Sequence, residues 1–319
     1  LTNGNRRSRA ALLPSAAYRD AVQAQLIANI ADYYYRLLSL DAQVAVTEQA
    51  VERYREQVRV MQALKAAGDA TEAAVAQTEA TLYAAETRLQ DLQYSIRQTE
   101  NSLTLLLGDT PHTIERGTLD AQSVPTELAT GVPLQLLSRR SDIRQSEQAL
   151  VQAFYAAAEA RAALYPSLTL SGSAGWTNSA GAIVANPGKL LLSAAGSLLQ
   201  PVFNAGQNRA RLKIAKAQQE EARLAFQQSL LNPRTEVNNA LTQVQTARAK
   251  TDSRSEQLRS LERAVESTQH LMRHGSTTYL EVLTAQQTLL SARLSAISDR
   301  LLELQGVVSL YHALGGGIE

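Results

Sequence analysis

The chain has 319 residues, and its 31 Lys and Arg nearly balance 30 Asp and Glu, so no large net field recruits nucleic acid or an anionic surface. It has no cysteine, which excludes disulfides and thiol catalysis within this stretch. It also lacks an apolar run near the ~18 residues of a transmembrane helix, so any membrane crossing must be made by strands.

The chain opens at Leu1 with no Met, signal peptide or lipidation site, and is read as a fragment of a longer precursor. After a basic start (Arg6, Arg7, Arg9) and Pro14, a helix is predicted to about Lys65. Ile30, Tyr33, Leu37, Leu40, Val44, Thr47, Val51, Tyr54, Val58, Met61 and Lys65 follow a strict 4,3 spacing, which is a coiled-coil seam. Taken over residues 10–66, such a helix is roughly 85 Å long at ~1.5 Å per residue and has to be buried against similar rods. Ala67-Gly68-Asp69 ends it, and Thr71 with Glu72 starts a return helix whose seam runs from Val75 through Leu82, Leu89, Leu92 and Leu103 to Leu106, stopping at Gly108.

From Asp109 to about Pro133, three prolines and two glycines mark a connector. A short helix over Leu134–Arg139 and a longer one over Asp142–Leu164 follow, with Asp142 and Gln145 resembling a capping pair. In 165–177 the alternation has period two: Leu168, Leu170, Gly172, Ala174 and Trp176 share one face, while Ser167, Thr169, Ser171, Ser173 and Thr177 share the other. Turn chemistry over 178–188 and a second run over Leu190–Phe203 complete a β-hairpin in an otherwise helical chain. Each arm reaches the ~9–11 residues of a tilted membrane strand, and Trp176 sits where an aromatic belt would lie. By itself this leaves two readings open, a bilayer-crossing hairpin and a soluble one packed on a helix layer. A second long helix is predicted from Arg209 to Arg273, interrupted and kinked near Asn232-Pro233, with a return helix from about Tyr279 to Leu314-Gly315.

A shift of 207 positions carries Gly68 onto Gly275, Thr71 onto Thr278, Val75 onto Val282, Leu82 onto Leu289 and Gly108 onto Gly315 without a gap. One hairpin of rods has been duplicated. The repeat implies that a second helix and β-hairpin, equivalent to roughly Pro133–Gln207, precede Leu1. Four strands cannot close a barrel, and an open edge is forbidden in lipid, so strands from several subunits have to combine.

The residues at this point resemble the TolC-like outer-membrane factor family, specifically the lipoprotein branch that partners resistance-nodulation-division pumps. The resemblance rests on Tyr165-Pro166-Ser-Leu-Thr-Leu, Gln200-Pro201-Val-Phe203-Asn-Ala-Gly206, Arg140-Ser141-Asp142-Ile143 with Glu147, and Gly275-Ser-Thr-Thr-Tyr-Leu-Glu281-Val-Leu-Thr284. It implies a mainly α fold with a β-hairpin, in which duplicated coiled-coil hairpins build an α-barrel and the strands join a trimeric transmembrane β-barrel. The expected parts are a first helical hairpin (1–108), an equatorial connector (109–140), a helix leading to the barrel (141–164), a transmembrane β-hairpin (165–206) and a second helical hairpin (207–315).

The function implied is a passive exit duct for drugs or other small solutes in the outer membrane of a Gram-negative bacterium, with a long periplasmic portion. Its expected partners are sister copies in a homotrimer, outer-membrane lipid, a periplasmic adaptor and an inner-membrane pump. The resemblance places a periplasmic gate at Glu281, Thr284 and Thr277. Thr284 stands where a second acid often lies, and Thr277 where some members carry a locking arginine. Adaptor docking falls on Ala67, Gly68, Asp69, His274, Gly275 and Ser276, and the membrane-facing strand on Leu168, Leu170 and Trp176.

No catalytic residue, cofactor or metal is expected, and no nucleic-acid partner. His270 and His274 have a spacing that suits zinc, but the metalloprotease glutamate is missing and no third ligand lies near in sequence. The alternatives are a protein-secretion duct and, from another class, a soluble coiled-coil scaffold.

Overall fold

The computed structural model describes residues 2–124, 140–177, 189–200, 203–274 and 277–316. In chain order the elements are α1 (Thr2–Ala67), α2 (Glu72–Leu107), α3 (Ser141–Ala162), β1 (Ser167–Thr177), β2 (Lys189–Leu199), α4 (Gln207–Arg273) and α5 (Tyr279–Ala313). The fold is mainly helical with one β-hairpin. Two expectations need correction. Helix α1 begins at Thr2 rather than near residue 10, because alanines and leucines around Pro14 favour helix on both sides of it. Helix α4 runs unbroken through Pro233, whose ring is fully buried, so the proline does not interrupt the rod. The expected short helix over 134–139, the turn over 178–188 and Pro201 lie outside the described residues.

The 4,3 seam is the buried stripe. Leu37 and Thr47 are 0% exposed, and Val51, Tyr54 and Met61 each 2%, with Leu38 and Ser39 beside Leu37 buried as well. Threonine on such a seam is tolerated because its hydroxyl bonds back to the carbonyl one turn earlier, as Thr47 does to Gln43 and Thr78 to Ala74, both at 2.7 Å.

The repeat extends to hydrogen bonds. At the end of α2 the Gly108 N–H donates to Leu105 and that of Asp109 to Thr104. At the end of α5 the Gly315 N–H donates to His312 and that of Gly316 to Tyr311, the same pair shifted by 207. Both glycines are left-handed, with φ of 72° and 83°, a conformation that favours a residue without Cβ.

Two compact units divide the chain, and α1 and α4 each contribute to both. One comprises Leu1–Arg19 with Ser141–Leu230. Here β1 and β2 pair antiparallel in an unbroken register from Ser167 opposite Leu199 to Thr177 opposite Lys189. That register puts Leu168, Leu170, Ala174, Leu192 and Leu198 on one face, with Thr169, Ser171, Ser173, Ser193 and Ser197 on the other. The hairpin is tied to its helices by Gln200 donating to the Leu164 carbonyl (3.2 Å) and Asn208 to that of Ala163 (3.0 Å).

The other unit comprises Asp20–Arg140 with Leu231–Glu319. Val51, Tyr54, Leu82, Ala85 and Leu283 form one of its cores, drawn from α1, α2 and α5. Leu38, Leu119 and Leu304 form a second, beneath Tyr34 and Tyr35. Val237, Ala240, Leu310 and Ala313 form a third between α4 and α5, which approach closely enough that a Cβ on Gly306 would lie 2.6 Å from the Val244 side chain.

Candidate functional site

The two rod tips share their capping threonine's backbone conformation, but only the first shows a side-chain cap hydrogen bond. At the first, Ala67 closes α1, Gly68 adopts φ +90°, and the N–H groups of Gly68 and Asp69 donate to Lys65 and Leu64. Lys65 and Glu72 pair across the turn, and Thr71 caps α2 by accepting from the Ala74 N–H at 3.2 Å. At the second, the His274 N–H donates to Leu271, and Thr278 takes the same extended capping conformation as Thr71. Gly275 and Ser276 lie outside the described residues.

Glu281 is exposed in the first turn of α5, where a carboxylate meets the positive end of the helix. It accepts a hydrogen bond from the Thr277 hydroxyl, so two of the three expected gate residues are joined. Thr284 lies one turn further on and is also exposed, but its hydroxyl donates to the Leu280 carbonyl at 2.8 Å. The 207 shift carries Ala74 onto Glu281, while Lys65, Asp69 and Glu72 of the first tip become Met272, Ser276 and Tyr279, so the duplicated tips distribute their charges differently.

Several residues that hold this tip in place escaped the sequence reading. Gln57 of α1 donates to Gln286 of α5 and accepts from the Tyr279 hydroxyl at 3.2 Å, while Gln287 donates to Thr81 of α2 at 3.1 Å. Burial pushes the Tyr54 hydroxyl up to about 12 and raises that of Tyr279. Only the 3.6 period carries information about these side chains, and it does not pair residues more than 200 positions apart.

A second missed cluster anchors the segment after α2. Arg116 binds Asp41 and Glu100, and Arg300 reaches the Gln122 carbonyl at 2.5 Å and Glu303 at 2.5 Å. Arg140, expected as part of a motif, is nearly buried and bridges the α5 carbonyl of Ala313 (2.8 Å) and Glu236 of α4 (2.7 Å).

Among the strand residues, Leu168 and Leu170 are 66% and 78% exposed on the face expected to meet lipid. The Trp176 backbone pairs with Leu190 on that same face, and its side chain lies outside the described residues. Among the described residues no three His, Asp or Glu converge as metal ligands, and no helix is long and apolar enough to cross a membrane.

The sequence matches the family described as Outer membrane efflux protein over residues 2–109 and 132–316. The chain belongs to that family. It is 28% identical to the cation efflux system protein CusC of Escherichia coli O6:H1 over 318 residues, which is 99% of this chain and 69% of CusC. It is 30% identical to the pyoverdine export outer membrane protein OpmQ of Pseudomonas aeruginosa over 301 residues, which is 94% of this chain and 63% of OpmQ. Its fold superposes on the solved outer-membrane channel OprN with a TM-score of 0.90 at 27% identity, covering 98% of this chain and 70% of that one. This outer membrane efflux protein is therefore a TolC-like channel subunit of the outer membrane with a long periplasmic helical part, and the soluble-scaffold alternative falls.

Proposed function

We propose that this outer membrane efflux protein forms a homotrimeric exit duct of a tripartite efflux pump, through which drugs or other small solutes leave passively. The observation that carries the reading is the hairpin at 165–206 on duplicated rods: a two-stranded sheet with exposed leucines on one face is not stable alone in water and needs further strands and lipid. Helices 1–108 and 207–315 are the α-barrel staves, 109–140 an equatorial connector, and 141–164 the lead into the barrel.

The tips at Ala67, Gly68, Asp69, His274, Gly275 and Ser276 receive the periplasmic adaptor, which links the duct to an inner-membrane pump. Glu281, with Thr277 and Thr284 beside it, faces the narrow opening, where one carboxylate from each of the subunits attracts cations. Among relatives, CusC is named for cation efflux and OpmQ for pyoverdine export, so one scaffold serves chemically unlike cargo and the pump selects it. No step requires chemistry by the chain.

The test expresses the protein from its native reading frame, extracts it in detergent and reconstitutes it in planar bilayers. A trimer with stepwise conductance is expected. A monomer that dissolves without detergent and passes no current overturns the duct.

A further inference from the structure

His270 and His274 stand one turn apart near the end of α4, both exposed, and their rings lie 4.6 Å apart between centroids at an interplanar tilt of 51°. The geometry points to a two-histidine chelate for a borderline transition-metal cation, such as Cu2+, at the second rod tip.

The centroid spacing matches that of two imidazoles sharing one ion. With a metal about 2.0–2.1 Å from each imidazole nitrogen and the ring centre about 1.1 Å beyond, two ligands at roughly a right angle put their ring centres about 4.5 Å apart. The two residues are one turn apart, so their side chains can reach a shared ion without any change of backbone. The end of α4 is also the negative end of its dipole, which favours a cation there. Imidazole suits Cu2+, Ni2+ and Zn2+, and Cu2+ binds most tightly in that series. Among the described residues no third His, Asp or Glu joins the pair, which argues against a structural zinc site and fits an open surface chelate whose other positions are filled by water. This site does not depend on the duct reading, because it needs only α4.

The experiment titrates Cu2+ into the detergent-solubilised protein at neutral pH in a non-coordinating buffer, with calorimetry and electron paramagnetic resonance as readouts. One Cu2+ per chain with two nitrogen ligands is expected. His270→Ala and His274→Ala should each weaken binding at least tenfold, whereas His112→Ala, remote in sequence, should leave it unchanged. Both tip histidines are exposed, so these variants keep the fold, and circular dichroism verifies it. Binding that survives unchanged in the His270→Ala/His274→Ala double variant, or a resonance with no nitrogen ligand, overturns the site.

Discussion

Arg116 grips Asp41 with two parallel contacts, Nε to Oδ2 at 2.5 Å and Nη2 to Oδ1 at 2.8 Å, and turns its remaining nitrogen to Glu100 at 2.6 Å. One guanidinium thus fastens the segment after α2 to both helices of the first hairpin. Its side chain is 12% exposed and that of Glu100 10%, so neither charge is well solvated if the other is lost. The hydrogen bonds to Asp41, foremost, hold the guanidinium more firmly protonated than usual.

Arg116→Ala should therefore destabilise the protein by about 3 kcal/mol, since removing the guanidinium strands the nearly buried Glu100 carboxylate. Arg116→Lys should recover only part of this, because an ammonium cannot form the two-pronged contact. Thermal unfolding checks both, and a melting temperature unchanged in Arg116→Ala would refute the latch.

Tyr54 predicts an alkaline weakness. Its pKa stands at about 12 against an ordinary 10.0, with desolvation as the main cause. A folded-state value above the unfolded one means that the contribution is complete below pH 10 and is lost as pH rises through about 12. The loss is roughly 2 kcal/mol, and Tyr54→Phe should flatten stability over that window. Denaturant unfolding at stepped pH, with phenolate absorbance followed in parallel, measures it.

Gly306 is fully enclosed on α5, and a Cβ there would lie 2.6 Å from Val244 and 3.3 Å from Gln243. Alanine normally gains about 1 kcal/mol over glycine in a helix, yet Gly306→Ala should cost roughly 1–3 kcal/mol by forcing α4 away. Adding Val244→Ala should reduce that clash term in a double-mutant cycle, and simple additivity would reject it.

The two faces of the hairpin should respond unequally to charge. Leu170 and Leu198 lie on the apolar face, 78% and 72% exposed, whereas Ser173 and Ser193 meet at 2.7 Å on the polar one. Leu170→Arg should lower the yield of membrane-inserted protein, since a cation facing lipid near mid-bilayer costs about 2–4 kcal/mol. Thr169→Arg should be tolerated. Equal yields would mean the faces are misassigned.

Glu281→Ala should reduce cation preference in bilayer recordings about twofold or more and weaken divalent block, because it removes an exposed carboxylate from the second tip. Unchanged selectivity would remove Glu281 from the gate.

By itself the sequence determined the rods, their caps, the duplication and the hairpin, because these follow from local periods of 3.6 and 2 and from glycines that only a left-handed turn explains. The seam from Leu37 to Met61 is buried as its spacing requires, and the alternation over 167–177 survives in the strand register. Two local signals misled: Pro14 and Pro233 sit inside helices, since cooperative propagation and packing along a long rod outweigh one lost hydrogen bond. Only the tertiary structure decided that Gln57 meets Gln286, that Arg116 finds Asp41, and that Gly306 admits Val244. Such pairings join positions tens to hundreds of residues apart, and no period along a chain encodes which rods lie side by side or at what height.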